Sequence, residues 1–455
     1  MPVLVQKFGG TSVATAERRQ RVLHHILRAR KQGYQLVVVV SAMGRRGDPY
    51  ATDTLIDLIR QANPSPSRRD LDLALSCGEI LATVVISQML QERGVPSVAL
   101  TGAQAGITTD DGFGNARILE IHPQRVLAAL ERGEVAVVAG FQGITRGGDV
   151  TTLGRGGSDT SAVALGVALG AEMVEVYTDV EGVMTADPRL VNEACTLPEA
   201  TYREVAEMAQ MGAKVIHPRA VEIAMEGGIP LRVRSTFSDH PGTLITRGSP
   251  GGVEIKSDRV VTAIAHLGGL AYVRVYWLGG GAAGTVKVTK GVESPGPAAA
   301  EPAAGGAPDG TPGTAVPESE GFSRSRLSLA LFQALAAAGI SLDLIQVSPD
   351  RITFVVEEER LPDAAKVLAQ LPVRVQAEPG YAKVTAVGGG MRGVPGVMAR
   401  IVRALWQAGV PIYHTTDSHT NISCLVAASD VERAVHALHH EFGLDQLGGM
   451  ARQTG

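Results

Sequence analysis

The chain has 455 residues, 45% of them hydrophobic, with 42 Lys+Arg against 46 Asp+Glu and a formal charge of −4. That length exceeds one ordinary core and implies two or three domains, while the apolar content excludes a wholly disordered chain. The near balance of charge removes global electrostatics as a ground for nucleic-acid or anionic-membrane binding. Three scattered cysteines, Cys77, Cys195 and Cys424, argue against a disulfide or zinc scaffold and for small core residues in a reducing compartment. Met1–Lys7 runs directly into a strand-like segment with no signal-peptide pattern, and the apolar runs are strand-sized, short of a spanning helix; a cytoplasmic protein is expected.

The first 245 residues alternate short apolar strands with helices. The strands expected are Val3–Val5, Leu36–Val40, Val98–Leu100, Val135–Ala139, Val174–Tyr177 and Leu231–Val233. Between them lie the helical stretches Ala16–Gln32, Arg68–Arg93, Pro123–Arg132, Asp159–Leu169 and Arg219–Glu226. Strands apolar on both faces and separated by helices predict an α/β domain with a mainly parallel sheet sandwiched by helices. The Arg-rich stretch Arg18–Lys31 carries Val22, Leu23, Ile26 and Leu27 at helical spacing, so it reads as an amphipathic surface helix rather than a nucleic-acid site.

Ser249–Gly252 looks like a joint. Beyond it, strand Thr262–Tyr276, helix Ser325–Ala338, two strands within Ser341–Val356 and helix Leu361–Gln370 make one β-α-β-β-α series. Strand Ala382–Val387, helix Pro395–Gln407, strands Val410–Thr415 and Ile422–Ala427 and helix Asp430–Phe442 make another. Two ferredoxin-like modules (βαββαβ) in tandem are expected. From Gly291 to Gly321, 20 of 31 residues are Gly, Pro or Ala, with no Leu, Ile or aromatic residue. Such composition buries too little apolar surface to offset ordering, so a disordered insertion at 291–321 is expected.

No Walker-type phosphate loop occurs, and no nucleophile triad stands out. Gly388–Gly393 satisfies G-x-G-x-x-G with Asp417 further on, but too little chain follows to complete a dinucleotide fold, so a tight turn is the reading. The informative clusters are N-terminal. Lys7-Phe8-Gly9-Gly10-Thr11-Ser12 follows the first strand and opens a helix, combining a point charge with backbone N–H groups an anion can approach. Leu153–Ser161 repeats the theme, with Arg155 able to fork onto a carboxylate and Ser158 or Asp159 expected to cap the helix. Tyr177–Arg189 lies at a strand's C-terminal end, and Gly212–Arg219 adds Lys214 near a helix start. Together these are phosphoryl-transfer equipment without a Walker loop.

Lys7–Ser12, Ser41-Ala42-Met43-Gly44, Ser76-Cys77-Gly78-Glu79, Gly140-Phe141-Gln142-Gly143, Arg155–Asp159, Thr178–Arg189 and Arg232–Thr236 resemble the monofunctional aspartate kinases of the amino-acid kinase fold. The tandem modules resemble that family's two regulatory ACT domains. The resemblance implies a catalytic domain over 1–248, a first ACT domain over 258–379 containing the insertion, and a second over 380–446. It implies transfer of the ATP γ-phosphoryl group to the β-carboxylate of L-aspartate, the first step toward lysine, threonine, methionine and diaminopimelate.

Carried onto this sequence, Lys7, Phe8, Gly9, Gly10, Thr178, Asp179, Arg189 and Lys214 would meet the nucleotide, while Ser41, Thr52, Glu79, Arg155, Gly156, Gly157 and Ser158 would hold aspartate. Lys7, Asp159 and Lys214 would carry the chemistry. Mg²⁺ would arrive with ATP, without direct protein ligands. Gln346, Ser348, Val394, Ser418 and Asn421 would serve an amino-acid effector: lysine, threonine or diaminopimelate, the last favoured by Asp417–Asn421. A homo-oligomer through the ACT domains is implied; no Met occurs between Met225 and Met391 to start a separate ACT subunit. Met184 stands where relatives often have Tyr, and the insertion replaces the first module's usual Gly turn. Two alternatives stand beside this reading: a non-catalytic amino-acid sensor, and a same-fold kinase for another carboxylate such as N-acetylglutamate.

Overall fold

Gln35–Val40 is buried at five of its six positions and Val135–Ala139 at all five, as strands covered on both faces must be. They belong to an eight-stranded sheet with the order Glu199–Thr201, Thr243–Thr246, Leu231–Ser235, Met173–Thr178, Val3–Phe8, Gln35–Val40, Val135–Ala139, Ser97–Leu100. Every pairing in it is parallel except that of Leu231–Ser235 with Thr243–Thr246. The structure, a computed structural model, describes residues 1–213, 215–248, 260–277, 285–289, 318–391 and 394–446. These fall into two compact units, one formed by residues 1–185 and 194–248, the other by 186–193 and 260–445. The expected joint at 249–252 lies outside the described residues.

The first unit holds elements the sequence did not announce. Ile118–Ile121, Ile107–Thr109, Gln142–Thr145 and Val150–Thr152 form a second, four-stranded sheet; strands of three or four residues are too short for a readable alternation. Helix Thr52–Ala62 buries none of its residues. Helix Tyr202–Gln210 did carry a signal, because Thr201 and Glu204 form a reciprocal capping box. Helix Arg68–Glu92 corrects the expectation that nothing reaches spanning length: it is 25 residues long and apolar enough to cross a membrane by composition alone. Its polar Ser, Thr and Gly positions break up the apolar runs. Leu75, Ala82, Ile86 and Leu90 are buried, so one face of the helix belongs to a protein core.

In the second unit, strands Ala263–Trp277 and Val373–Val387, 15 residues each, pair antiparallel along nearly their whole length. Leu270–Trp277 and Val373–Pro379 sit beside Arg351–Glu357 and Asp343–Val347, completing the first βαββαβ module with helices Glu318–Ala337 and Leu361–Leu368. Ala263–Leu267 instead pairs with Lys383–Val387, beside Asn421–Ala427 and His414–Asp417. The last strand of the second module thus comes from upstream of the first: Val373–Val387 runs across the expected division at 379/380, and Ala263–Trp277, within 258–379, pairs with both halves of it. A register shift at Leu267–Leu270, with Gly269 at φ +71°, marks the changeover.

Helix Glu318–Ala337 starts earlier than expected, inside the segment read as an insertion, and Thr285–Val288 adds an unforeseen parallel strand beside Val373–Val387; residues 290–317 lie outside the described residues. Gly388 donates to Thr420 O at 2.9 Å, and a Cβ there would come within 2.2 Å of Val260 O. It is a close-approach turn on an antiparallel sheet, as the tight-turn reading requires. The three cysteines form no disulfide, and Cys77, expected in the core, is exposed.

Candidate active site

The register of the parallel strands sets Phe8 opposite both Val40 and Tyr177, and Val40 opposite Ala139. Their C-terminal ends are therefore level, the position where open α/β sheets gather ligand-binding loops. Gly10 is pressed against the loop after the second strand: Gly44 N–H donates to its carbonyl at 3.0 Å, and a Cβ would lie 2.6 Å from Ala42 O and 3.0 Å from Gly44 O. Since both obstacles are backbone, Gly10→Ala is expected to displace the loop and lower kcat/KM about 10²-fold, the scale set by a misplacement of about 1 Å. Steady-state kinetics at wild-type fold content, judged by circular dichroism, checks this.

Lys7 Nζ lies 2.6 Å from Asp159 Oδ1, with both side chains 12% exposed. Asp159 stands in the first turn of helix Gly157–Ala168, beside Ser158, whose hydroxyl accepts from Ser41 Oγ at 2.9 Å. The expected cap is corrected here. The N-cap is Gly156, in the left-handed region at φ +68° and without a side-chain cap bond, which leaves Ser158 and Asp159 free to turn toward Ser41 and Lys7. Gly156 and Gly157 also permit close packing, since Cβ atoms would come within 2.2 Å of His217 Cβ and 2.7 Å of Phe141 Cδ2. Phe141 itself holds φ +67°, a strained conformation fixed by its N–H donating to Ser161 Oγ at 3.0 Å and its carbonyl accepting from Leu153 N at 2.8 Å.

Glu79, from the middle of Arg68–Glu92, reaches the same loop: its Oε1 accepts from Ala42 N–H at 3.0 Å. It is 2% exposed, and its Oε2 is buried with no hydrogen-bond partner. Burial pushes its carboxyl up to about 8, against the opposing hydrogen bond from Ala42. Gly78 lets the chain at Tyr50 approach this turn, a Cβ there falling 2.9 Å from Tyr50 O; Thr52 opens the helix that follows. Arg155 is exposed and has no ion pair among the described residues.

Thr178 and Asp179 sit at the adjoining strand end. Thr178 O accepts from Thr236 N–H at 2.9 Å, and Asp179 pairs with Arg45 at 2.9 Å. Arg45 was not anticipated, because an exposed Arg in a loop carries no pattern of its own. The Phe8 side chain stacks on Tyr177, ring centroids 4.6 Å apart, at 0% exposure; only its backbone is available to a nucleotide. Arg189 belongs to the 186–193 segment of the second unit, where it forks onto Asp187 at 2.6 Å and holds that carboxyl below its usual range. Lys214 lies outside the described residues.

Of the effector candidates, Gln346 is exposed on the edge strand Asp343–Val347, and Ser348 N–H donates to Arg351 O at 2.9 Å in the following turn. Ser418 Oγ accepts from the N–H groups of Thr420 and Asn421, at 3.2 and 3.1 Å. Asn421 is 8% exposed and Val394 is 43% exposed. The two edge strands, Asp343–Val347 and His414–Asp417, touch each other, and Lys383 crosses the sheet to pair with Asp343.

The amino acid kinase family matches residues 2–235, which carry the eight-stranded sheet up to Leu231–Ser235, and an ACT domain matches 384–442. "Aspartokinase 1" of Bacillus subtilis (strain 168) is 44% identical over 448 residues, spanning 98% of this chain and 100% of that protein. An aspartokinase of Thermus thermophilus is 38% identical over 457 residues, 98% and 100% of the two chains. Escherichia coli aspartokinase III, solved with lysine and aspartate in the T-state, superposes with a TM-score of 0.69 at 25% identity, covering 97% of this chain and 99% of that one. The chain belongs to the aspartokinase family: it is an ATP-dependent kinase acting on aspartate, and allosterically regulated.

Proposed function

We propose that the residues converging at the sheet's C-terminal edge perform the transfer of the ATP γ-phosphoryl group to the aspartate β-carboxylate, forming 4-phospho-L-aspartate. The observation that carries this assignment is the Lys7–Asp159 pair, 2.6 Å apart beside Ser41 and Ser158 and above the Gly9–Gly10 turn. An aspartate β-carboxylate, with a pKa of about 3.9, is already ionised at neutral pH, so the reaction needs no general base. What it needs is two anions held in line with their charge neutralised. Lys7 with the Gly9 and Gly10 amides receives the β/γ-phosphates, Lys214 the nucleotide phosphates, and Thr178, Asp179 and Arg189 the rest of the nucleotide. Glu79 takes the substrate ammonium, Arg155 the α-carboxylate, and Ser41, Thr52, Gly156, Gly157 and Ser158 complete the acceptor site. Asp159 holds Lys7 in register until the phosphates replace it. Mg²⁺ is part of the substrate, Mg-ATP, coordinated chiefly by phosphate oxygens.

Two consequences are testable. Arg155, exposed and uncommitted, is expected to act in aspartate binding, so Arg155→Ala raises KM for aspartate about 10²-fold while KM for ATP stays near wild type; separate titrations of the two substrates check it. Feedback control acts through the C-terminal modules, with diaminopimelate the favoured effector over lysine and threonine because of the Asp417–Asn421 segment. Turnover of ATP with L-aspartate, titrated with each of the three amino acids, tests this, and insensitivity to all three would contradict it. The enzyme is assigned to the cytoplasm, as a homo-oligomer through its ACT modules, feeding lysine, threonine, methionine and diaminopimelate synthesis. A non-catalytic sensor would show no turnover in the same assay.

A further inference from the structure

The face of the first sheet that carries helix Ala16–Lys31 also carries buried charge. Glu175 is 7% exposed and its carboxylate is fully engaged. Its Oε2 accepts from Gln6 Nε2 at 2.9 Å and from Tyr177 OH at 3.0 Å, and its Oε1 accepts from Arg234 Nη1 at 3.1 Å. Beside it opens a cavity of about 280 Å³, whose polar lining is dominated by Arg28, Tyr34, Arg232, Arg234, Glu175 and Asp239.

Three arginines, Arg28, Arg232 and Arg234, line the cavity against two carboxylates, Glu175 and Asp239. Glu175 is committed to Arg234, and Asp239 pairs with Arg28 at 3.2 Å. Tyr34 donates to Glu172, outside the lining, at 3.0 Å. Arg232 is left with no ion pair among the described residues. The Nε atoms of Arg232 and Arg234 are both buried without a hydrogen-bond partner. Buried guanidinium donors without acceptors are costly, and their planar fork matches the oxygens of a phosphate or a carboxylate. Leu4, Met173 and Pro241 supply an apolar wall, so the space suits a small organic anion as well as an inorganic one.

We propose that this cavity is an anion-binding site for the phosphate or carboxylate group of a small molecule, with Arg232 as its principal ligand and Arg28 at its rim. It lies in the first unit, apart from the C-terminal modules and from the residues assigned to nucleotide and aspartate. Its occupancy reaches those residues through the strands themselves: Gln6 precedes Lys7, and Tyr177 precedes Thr178, with both side chains bonded to Glu175. A ligand that competes for Arg234 therefore acts on the strands that present Lys7 and Thr178.

The test is a thermal-shift titration of the full chain with inorganic phosphate in one arm and succinate in the other. Each arm is run on wild type, on Arg232→Ala and on Lys7→Ala, the last removing the phosphate lysine of the candidate active site. The expected result is a saturable rise in melting temperature with at least one probe, retained in Lys7→Ala. In Arg232→Ala the half-saturating concentration rises about tenfold or more, the loss expected for a charge-assisted hydrogen bond. Which arm responds identifies the anion as phosphate or carboxylate. If Arg232→Ala does not fold, Arg28→Ala, on the exposed rim, must weaken the response in its place. No shift with either probe, a wild-type response in Arg232→Ala, or a response lost only in Lys7→Ala overturns the proposal.

Discussion

Lys7→Ala is expected to lower aspartate-dependent ATP turnover by about 10³-fold, the upper range for removing one group that stabilises charge in the transition state. The same change leaves Asp159, 12% exposed, without its cation. Breaking a buried ion pair by deleting one partner costs about 3–5 kcal/mol, so the melting temperature falls as well. The two effects separate in Lys7→Ala/Asp159→Asn: neutralising the orphaned carboxylate restores much of the stability and none of the activity. Thermal melts and single-turnover assays on the single and double variants read the two quantities independently. Recovery of turnover in the double variant would show that the lysine serves the fold and not the chemistry.

Glu79→Gln is expected to raise KM for aspartate at least about 10²-fold, because a buried charge-assisted contact to the ammonium disappears. The stronger signature is in pH. With its carboxyl raised to about 8, Glu79 is protonated in the ligand-free enzyme at neutral pH. Holding an ammonium requires the carboxylate, so aspartate binding releases a proton. KM for aspartate should therefore fall as pH rises toward about 8, by up to about tenfold per unit, and level off above it. Glu79→Gln abolishes that slope. The shift also bears on folding: because the folded-state value is raised, the contribution is fully present below about pH 4.5 and is lost as pH rises through about 8. A flat KM profile in wild type would place the ammonium elsewhere.

Much of the site was legible because its residues sit in local patterns. Lys7 with Gly9 and Gly10, and Arg155 with Gly156 and Gly157, carry the local pattern proposed for an anion cradle, small residues next to a charge at the start of a helix. The parallel sheet was legible from runs such as Leu36–Val40, apolar on both faces. Other features depend on contacts across long sequence separations and left no local trace. Glu79 gains its raised pKa from burial against a loop 37 residues away. Arg45 meets Asp179 across 134 residues. The strain at Phe141 is invisible in a string of letters. The helix cap went to Gly156, in the left-handed region, rather than to Ser158 or Asp159, leaving both side chains for other work. In the C-terminal unit, the repeated β-α-β-β-α order was readable. What could not be read was that Ala263–Leu267 closes the second module, since strand exchange is settled by pairing and not by order.

If the Lys7–Asp159 site phosphorylates the aspartate side chain, its product is an acyl phosphate. Hydroxylamine distinguishes that product from others, because an acyl phosphate yields a hydroxamate and other phosphate products do not. Hydroxamate is expected only when Mg-ATP and L-aspartate are present together, and it should nearly vanish in Lys7→Ala. Hydroxamate from N-acetylglutamate but not aspartate, or undiminished hydroxamate in Lys7→Ala, would refute the assignment.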